Sequence, residues 1–181
     1  GHLRLLFEMG REQHIDIDEL EREVEELEDL VGQLLAQSRA AYGVIDRRKV
    51  DAVALAERAL ERQGVDAEVQ VLGDGQRARA FSLDPTLVER ALANLVRNAR
   101  THGGGVLALS VTSEADALRF EVCDGGEGFE LDDAEAGRST AGGLGLGLPL
   151  VRIAAEAHGG EFYTRRSEAG FIAGIRLRGP K

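Results

Sequence analysis

The chain of 181 residues carries 22 basic and 32 acidic side chains, which gives a formal net charge of −10. That balance excludes a nucleic-acid binder that works through a broad basic surface. The single cysteine excludes an intrachain disulfide and a multi-cysteine zinc site. No apolar run approaches the roughly 20 residues that span a bilayer, and no segment resembles a signal peptide. We therefore expect a soluble cytosolic protein or the cytosolic piece of a larger one.

Residues 1–43 predict helices that need partners. Apolar residues recur at alternating spacings of four and three from Leu20 to Leu34, and acidic residues crowd the other faces. The short apolar stretch over residues 3–9 predicts part of a second helix, and residues 10–14 would form the turn between the two helices. A helix with one apolar stripe cannot bury that stripe alone. We expect a helical hairpin that forms a four-helix bundle with a second copy, a homodimer; packing on the same chain is the alternative.

Residues 44–181 predict a mixed α/β domain. Helices are expected over residues 53–62, 84–101 and 149–158, the second one opened by Asp84 as N-cap and Pro85 at its first position. Strands are expected over residues 106–112, 118–123, 161–165 and 171–177. Residues 67–72 and 77–81 are expected to form a hairpin around Gly73, Asp74 and Gly75. The pattern favours an α+β two-layer sandwich, with helices on one face of a mostly antiparallel sheet.

A row of polar side chains follows one face of the predicted helix over residues 84–101. Asn94, Asn98 and His102 are four residues apart and therefore stack along the helix axis, opposite an apolar stripe. Asparagine is a poor helix former, so aligned asparagines indicate a ligand for their amides. An amide oxygen suits Mg²⁺, which keeps waters and bridges to phosphates. Solvated polar positions are the alternative.

Two glycine-rich segments follow, one directly after a predicted strand and one directly before a predicted helix. Asp124 ends a predicted strand, where its carboxylate could accept a hydrogen bond from an exocyclic amine such as that of adenine. Gly126 and Gly128 would let the backbone approach a flat ring. An ordinary acidic turn is the alternative. Residues 142–148 alternate glycine and leucine and lead into a helix, which presents free N–H groups to a phosphate chain. The lysine of a P-loop is missing there, and a flexible linker would not be rich in leucine.

These three segments, in this order, resemble the ATP-binding domain of two-component sensor histidine kinases, a family related to type II topoisomerases, Hsp90 chaperones and MutL proteins. Residues 92–99 resemble the asparagine box, residues 124–128 the first glycine box and residues 143–148 the second. The heptad helix resembles the second helix of the dimerisation and phosphoacceptor hairpin. The resemblance implies the histidine kinase and Hsp90-type fold over residues 44–181, preceded by a dimerising hairpin over residues 1–43.

The resemblance also implies a role for each matching residue. Asn98 would coordinate Mg²⁺, Asn94 would line the phosphate pocket, and His102 would lie near the ribose and phosphates. Asp124 would recognise the adenine of ATP against a wall that Gly126 and Gly128 shape. Four further residues would complete the ATP site by forming its hinge and phosphate cradle: Gly143, Gly145, Gly147 and Leu148. Arg97, Arg100 and Arg138 are candidates for further phosphate contacts.

The position of Asn94 favours a kinase over a hydrolase. ATPase relatives place a glutamate there to activate water, and asparagine has no basic site for that task. The resemblance implies that ATP donates its γ-phosphoryl to a histidine on the hairpin, for relay to an aspartate of a response regulator. It also implies the cytoplasmic portion of a bacterial inner-membrane protein, anchored by segments absent from this chain. The alternatives are a dimerising pseudokinase scaffold and a serine kinase of the anti-sigma-factor type.

The sequence departs from the family in three places. The phosphoacceptor histidine motif is missing, so we expect a chain that begins just after it and cannot autophosphorylate alone. Residues 129–141 are short for the segment between the glycine boxes, which predicts an abbreviated nucleotide lid. Phe171 stands near the expected adenine pocket, where smaller residues are usual. His158, in contrast, fits a structural role at the end of its helix, and Cys123 fits a small buried side chain.

Overall fold

The computed structural model describes residues 31–32, 45–128 and 147–179. Its helices are α1 (Ala52–Arg62), α2 (Gly75–Ala78), α3 (Pro85–His102) and α4 (Gly147–Ala157). Its strands are β1 (Arg48–Val50), β2 (Val69–Leu72), β3 (Phe81–Leu83), β4 (Val106–Ser113), β5 (Ala117–Asp124), β6 (Glu161–Arg166) and β7 (Phe171–Arg178). Among these residues no helix combines the length and the hydrophobicity that crossing a membrane requires.

Five strands form the main sheet in the order β2-β4-β5-β7-β6. The pairing is antiparallel except at β2, which runs parallel to β4. Strands β1 and β3 form a separate antiparallel pair. The expectation of a mostly antiparallel sheet covered by helices is confirmed.

The helices pack on one face of this sheet. Alternate residues of β5 point to opposite faces, so Leu118, Phe120 and Val122 join the core under α3. From α3 the core receives an apolar stripe, and every member of it is buried: Val88, Leu92, Leu95 and Ala99. The opposite face of the sheet is polar, and there Arg165 and Tyr163 bond the carboxylate of Glu121. The result is the two-layer sandwich that the sequence predicts.

The hairpin predicted around Gly73, Asp74 and Gly75 is wrong. Asp74 Oδ1 accepts hydrogen bonds from the N–H groups of Gln76 and Arg77 at 3.0 and 3.2 Å, which starts α2 instead of a hairpin turn. Strand β2 then pairs in parallel with β4, and β3 pairs with β1. The aspartate therefore acts as a helix cap, and its glycine neighbours do not return the chain onto β2.

Most of the predicted hairpin over residues 1–43 lies outside the described residues. Val31 and Gly32 are described and are helical. Gly32 is buried, and a Cβ built on it would lie 2.6 Å from Arg90 Nη1 and 3.6 Å from Leu150 Cδ1. This helical piece therefore packs on α3 and α4. The boundary at residue 43 and the dimer stay predictions.

Candidate functional site

Helix α3 is the element on which the site is built. Asp84 caps its start, with Oδ1 accepting from the N–H groups of Thr86 and Leu87 at 3.0 and 3.1 Å, and Pro85 occupies the first position. Gly103 ends the helix. These are the boundaries that the sequence predicts, to within one residue. The cap and the buried apolar stripe together fix which face of α3 presents the asparagines.

The row of Asn94, Asn98 and His102 runs from the interior to the surface. Asn94 is buried with 5% of its surface exposed, Asn98 is half-buried and His102 is exposed. Eight residues of helix separate Asn94 from His102, which is about 12 Å along the axis. The row therefore runs along α3 from a buried position to the exposed C-terminal end of the helix.

The start of α4 lies directly against Asn94. A Cβ built on Gly147 would be 2.7 Å from Asn94 Oδ1 and 3.4 Å from Arg97 Nη2. The Asn94 amide donates to the carbonyl of Arg90 at 3.1 Å, and its oxygen accepts from the Arg97 guanidinium. The structure thus brings the end of the leucine–glycine segment onto the asparagine row. Only glycine fits this contact without displacing the amide.

Asp124 forms the other end of the site. It ends β5 with 7% of its surface exposed, and its Oδ1 accepts from the N–H of Gly126 at 2.9 Å. Burial raises the pKa of the Asp124 carboxyl, and the bond from Gly126 opposes that shift in part. A ligand that donates a hydrogen bond to a buried carboxylate of this kind stabilises its ionised form.

The turn after β5 packs on the end of α3. A Cβ on Gly103 would overlap the Asp124 carboxyl group. A Cβ on Gly126 would lie 2.8 Å from the Cα of Gly103 and 3.3 Å from the carbonyl oxygen of His102. The sequence does not predict this contact, although three consecutive glycines, residues 103–105, follow the predicted helix. The glycines bring Asp124 beside the exposed end of the asparagine row.

Phe171 stands beside this turn, as the sequence analysis expects. It is the β7 residue in register with Asp124, and its ring fills the space that a side chain at Gly128 would need. Gly128 has φ of +76°, a conformation that favours glycine. The ring and the glycine therefore form one surface next to the Asp124 carboxylate.

The other predicted site residues either contact different parts of the chain or lie outside the described residues. Leu148 packs on the hydrophobic core from α4. Gly143, Gly145, Arg138 and the predicted lid over residues 129–141 lie outside the described residues. Arg100 directs its guanidinium to the carbonyl oxygen of Gln63 at 2.5 Å, at the end of α1. Of the three candidate arginines, Arg97 is therefore the one that the described structure places beside Asn94.

Two residues outside the site match their structural expectations. His158 is fully buried; its Nδ1 bonds the carbonyl oxygen of Ala154 at 2.7 Å, and its Nε2 accepts from the N–H of Asp84 at 2.9 Å. Burial lowers the pKa of His158. Cys123 is buried, and burial raises the pKa of its thiol. A thiol held protonated is a poor nucleophile.

The site fits a magnesium ion that arrives with its ligand. Within the described ranges, no group of three His, Cys, Asp or Glu side chains could hold a metal. An amide oxygen at Asn98 is a hard donor of the kind that Mg²⁺ accepts, and Mg²⁺ takes its other ligands from water and phosphates. An Asn98 oxygen could therefore be one ligand of a magnesium ion that is bound to phosphates.

Comparison with known proteins gives a family and relatives. Residues 83–180 match the family described as histidine kinase-, DNA gyrase B- and HSP90-like ATPase. The sensor protein IrlS of Burkholderia pseudomallei is 35% identical over 161 residues, which is 80% of this chain and 34% of that protein. The histidine-protein kinase AfsQ2 of Streptomyces coelicolor is 30% identical over 86% of this chain and 31% of that protein. The chain thus spans about a third of the length of these relatives.

Solved structures give the same fold. The ATP binding domain of PrrB from Mycobacterium tuberculosis is 26% identical with a TM-score of 0.58, covering 75% of this chain and 99% of that one. The histidine kinase AdeS of Acinetobacter baumannii has a TM-score of 0.69 at 20% identity, covering 93% of this chain and 87% of that one. The match at 20% identity supports the fold alone.

Proposed function

The chain belongs to the histidine kinase-, DNA gyrase B- and HSP90-like ATPase family, and its relatives are sensor histidine kinases. From that premise we propose that it binds Mg-ATP and, within a longer sensor kinase, donates the γ-phosphoryl to a histidine of the dimerisation hairpin. An aspartate of a response regulator then receives the phosphoryl. The observation that carries the proposal is the meeting of Gly147 with Asn94 and of Gly126 with the end of α3.

Each end of the site has a part in this proposal. Asp124 accepts a hydrogen bond from the exocyclic amine of adenine, on the surface that Gly126 and Gly128 shape. His102, exposed at the end of α3, lies toward the ribose and phosphates. Asn94 lines the phosphate end of the site. Gly147 and Leu148 begin α4 there, and the first N–H groups of this helix point toward the phosphates. Gly143 and Gly145 complete the cradle.

The reaction needs positioning more than covalent chemistry from this domain. A nitrogen of the acceptor histidine attacks the γ-phosphorus, the bond to the β–γ bridging oxygen breaks, and ADP leaves. Asn98 would hold a magnesium ion that arrives with ATP, and the ion would supply positive charge against the charge that builds on the leaving group. Asn94 cannot accept a proton from water, and its amide is already engaged by Arg90 and Arg97. The chain therefore keeps ATP for a protein acceptor and does not hydrolyse it.

The partners follow from the same proposal. The heptad helix of residues 1–43 pairs two copies, and the receiver domain of a response regulator is the downstream partner. We place the chain on the cytoplasmic side of a bacterial inner membrane, because ATP is supplied there.

The test is phosphotransfer to a separate hairpin that carries the missing histidine motif. We expect the chain with ATP labelled on the γ-phosphoryl to label that hairpin on histidine, and to label nothing when the hairpin is left out. The Asn98→Ala variant is the control and should transfer nothing. Tight ATP binding without transfer would contradict the kinase and favour a scaffold, and label on serine would favour the anti-sigma-factor type.

A further inference from the structure

The hairpin formed by β6 and β7 contacts the turn after β5. Arg166 is in register with Phe171 across this hairpin, and Phe171 is in register with Asp124 across the next pair of strands. Side chains of directly paired residues point to the same face of a sheet. The three residues therefore form one row on the helix-covered face, where Phe171 joins the hydrophobic core.

Two contacts from this hairpin fix the start and the end of the turn over residues 124–128. Gly170 directly precedes β7, and a Cβ built on it would overlap the carbonyl oxygen of Asp124. Its φ of +152° is a conformation that favours glycine. At the other end of the turn, the ring of Phe171 occupies the space beside Gly128. Both ends of the turn therefore rest on the hairpin.

Arg166 contacts the same turn between these two ends. Its guanidinium donates a hydrogen bond to the carbonyl oxygen of Glu127, which lies between Gly126 and Gly128. A glycine-rich backbone can adopt many conformations, and a hydrogen bond from a charged donor is about twice as strong as a neutral one. The N–H of Gly126 is itself the donor to Asp124 Oδ1 at 2.9 Å. One short turn therefore links Arg166 to the Asp124 carboxylate.

We propose that Arg166 is a positioning residue for adenine recognition, which holds the turn over residues 124–128 in the conformation that orients the Asp124 carboxylate toward the base. This inference rests on the proposed function and adds to it a residue on a different strand. In this role Arg166 acts through the Glu127 carbonyl and touches neither the base nor the phosphates. Its removal lets the turn relax, which lowers the affinity for adenine and the preference for adenine over guanine.

Arg178 supplies a matched control at the other end of β7. It is exposed, as Arg166 is, and it is in register with Ala117, the first residue of β5. Seven residues of strand separate it from Phe171, which is about 23 Å. Its replacement by glutamine changes the net charge by the same amount at a place remote from the turn. A difference between the two arginines therefore reports on the turn and not on the net charge.

The experiment measures dissociation constants of ATP, adenosine and GTP for the wild-type chain and for the Arg166→Gln, Arg166→Lys and Arg178→Gln variants. Guanine has a carbonyl oxygen where adenine has its amine, so a correctly oriented carboxylate favours ATP over GTP. We expect Arg166→Gln to weaken ATP and adenosine by the same factor, about three- to tenfold, and to reduce the preference for ATP over GTP. Arg166→Lys should recover part of the loss, because it keeps a charged donor. Arg178→Gln should match the wild type.

Three outcomes would overturn the inference while the proposed function stands. The first is unchanged binding of ATP and adenosine by Arg166→Gln. The second is a loss confined to ATP and GTP, which would mean that Arg166 contacts the phosphates directly. The third is an equal loss for all three ligands with the preference for ATP over GTP unchanged, which would mean that Arg166 only supports the fold.

Thermal unfolding checks that each variant is folded, which we expect because both arginines are exposed. A wild-type chain that binds none of the three ligands would instead contradict the proposed function itself.

Discussion

At the scale of single residues, the Asp124 carboxylate is the group whose environment most favours a specific ligand. It is buried, and burial raises its pKa. We predict that Asp124→Asn weakens ATP, ADP and adenosine together, by about ten- to a hundredfold, because all three carry adenine. Calorimetric titration of each ligand measures this. The variant should stay folded, since an amide oxygen can still accept from Gly126 and no charge is buried.

The raised pKa of Asp124 also fixes the sign of a pH dependence. The ionised carboxylate accepts a hydrogen bond from the adenine amine, and the protonated form accepts it less well. Affinity should therefore increase as pH rises through the raised pKa and decrease as pH falls through it. Titrations with ADP over that range should show the trend in the wild type and lose it in Asp124→Asn. A trend of the same size in both proteins would assign it to another group.

Asn98 is predicted to carry the metal-dependent part of nucleotide binding. Asn98→Ala removes an amide oxygen from a half-buried position on α3, and alanine is the better helix former. We expect the fold to be intact and the gain in ATP affinity on adding Mg²⁺ to disappear. Calorimetry with and without Mg²⁺ measures that gain. If the variant keeps the same gain, Asn98 does not hold the metal.

The sequence predicts much of the site at this scale, because spacing on a helix decides which residues share a face. Asn94, Asn98 and His102 form the expected row on α3. The sequence could not predict that Asn94 is buried, because its burial depends on how close α4 approaches. Nor could it predict that Gly103 packs on the Asp124 carboxyl, which is a contact between elements far apart in the chain.

At the scale of elements, the contact between α3 and α4 is the most sensitive to a single added atom. A Cβ at Gly147 would meet Asn94 Oδ1 at 2.7 Å, so the amide and the arginine bonded to it must shift. We predict that Gly147→Ala weakens ATP binding several-fold and changes the free energy of unfolding by less than about 1 kcal/mol, because the atoms nearest to the added Cβ belong to side chains that can shift. Titration and urea denaturation measure the two effects.

A second glycine serves as the control for that prediction. Gly75 begins α2, and a Cβ there would make an ordinary contact with Val71 at 3.6 Å. We expect Gly75→Ala to leave ATP binding unchanged. If Gly147→Ala also bound ATP like the wild type, the close approach of α4 to Asn94 would have no part in nucleotide binding.

His158 joins the end of α4 to the start of α3. It accepts from the N–H of Asp84 and bonds the carbonyl of Ala154, while Asp84 caps α3 and accepts from the N–H of Asp46 at 3.1 Å. Replacement by leucine removes both hydrogen bonds of the buried imidazole. We predict that His158→Leu lowers the free energy of unfolding by about 1–3 kcal/mol at pH 7.5, as measured by urea denaturation.

The buried imidazole also makes stability depend on pH. Burial is the largest cause that lowers the pKa of His158, and the charge of Arg47 lowers it further. The unfolded state then binds a proton that the folded state does not, below the ordinary value of about 6.5. The stability due to neutral His158 is complete above that pH and is lost as pH falls through the lower, folded-state pKa. His158→Leu should remove this part of the acid sensitivity, and an unchanged profile would contradict it.

The elements show where sequence reasoning succeeds and where it fails. Helix α3 is predicted to within a residue because its cap, proline and terminal glycine all agree. The segment from Gly73 to Gly75 fails because aspartate can cap a helix as readily as it can form a hairpin turn. Whether Asp74 caps a helix or forms a hairpin turn depends on β4, which pairs in parallel with β2. The local sequence does not predict that pairing.

At the scale of the whole molecule, one helix links both ends of the site. Helix α3 carries Asn94 under α4 and ends at Gly103 against the turn after β5. The sheet below fixes that turn, because Asp124 is in register with Phe171. The fold therefore brings together α3, the turn after β5 and the start of α4, and all three lie within residues 83–180, which match the family.

Amide hydrogen exchange with and without Mg-ATP tests the location of the nucleotide most directly. We expect slower exchange in three segments when Mg-ATP is present: the C-terminal half of α3, the turn over residues 124–128 and the first turn of α4. Strand β2, which lies at one edge of the sheet, and helix α2, which follows it in the chain, should exchange at the same rate in both conditions. No slowing in these three segments at saturating Mg-ATP, or slowing confined to other parts of the chain, would contradict the account.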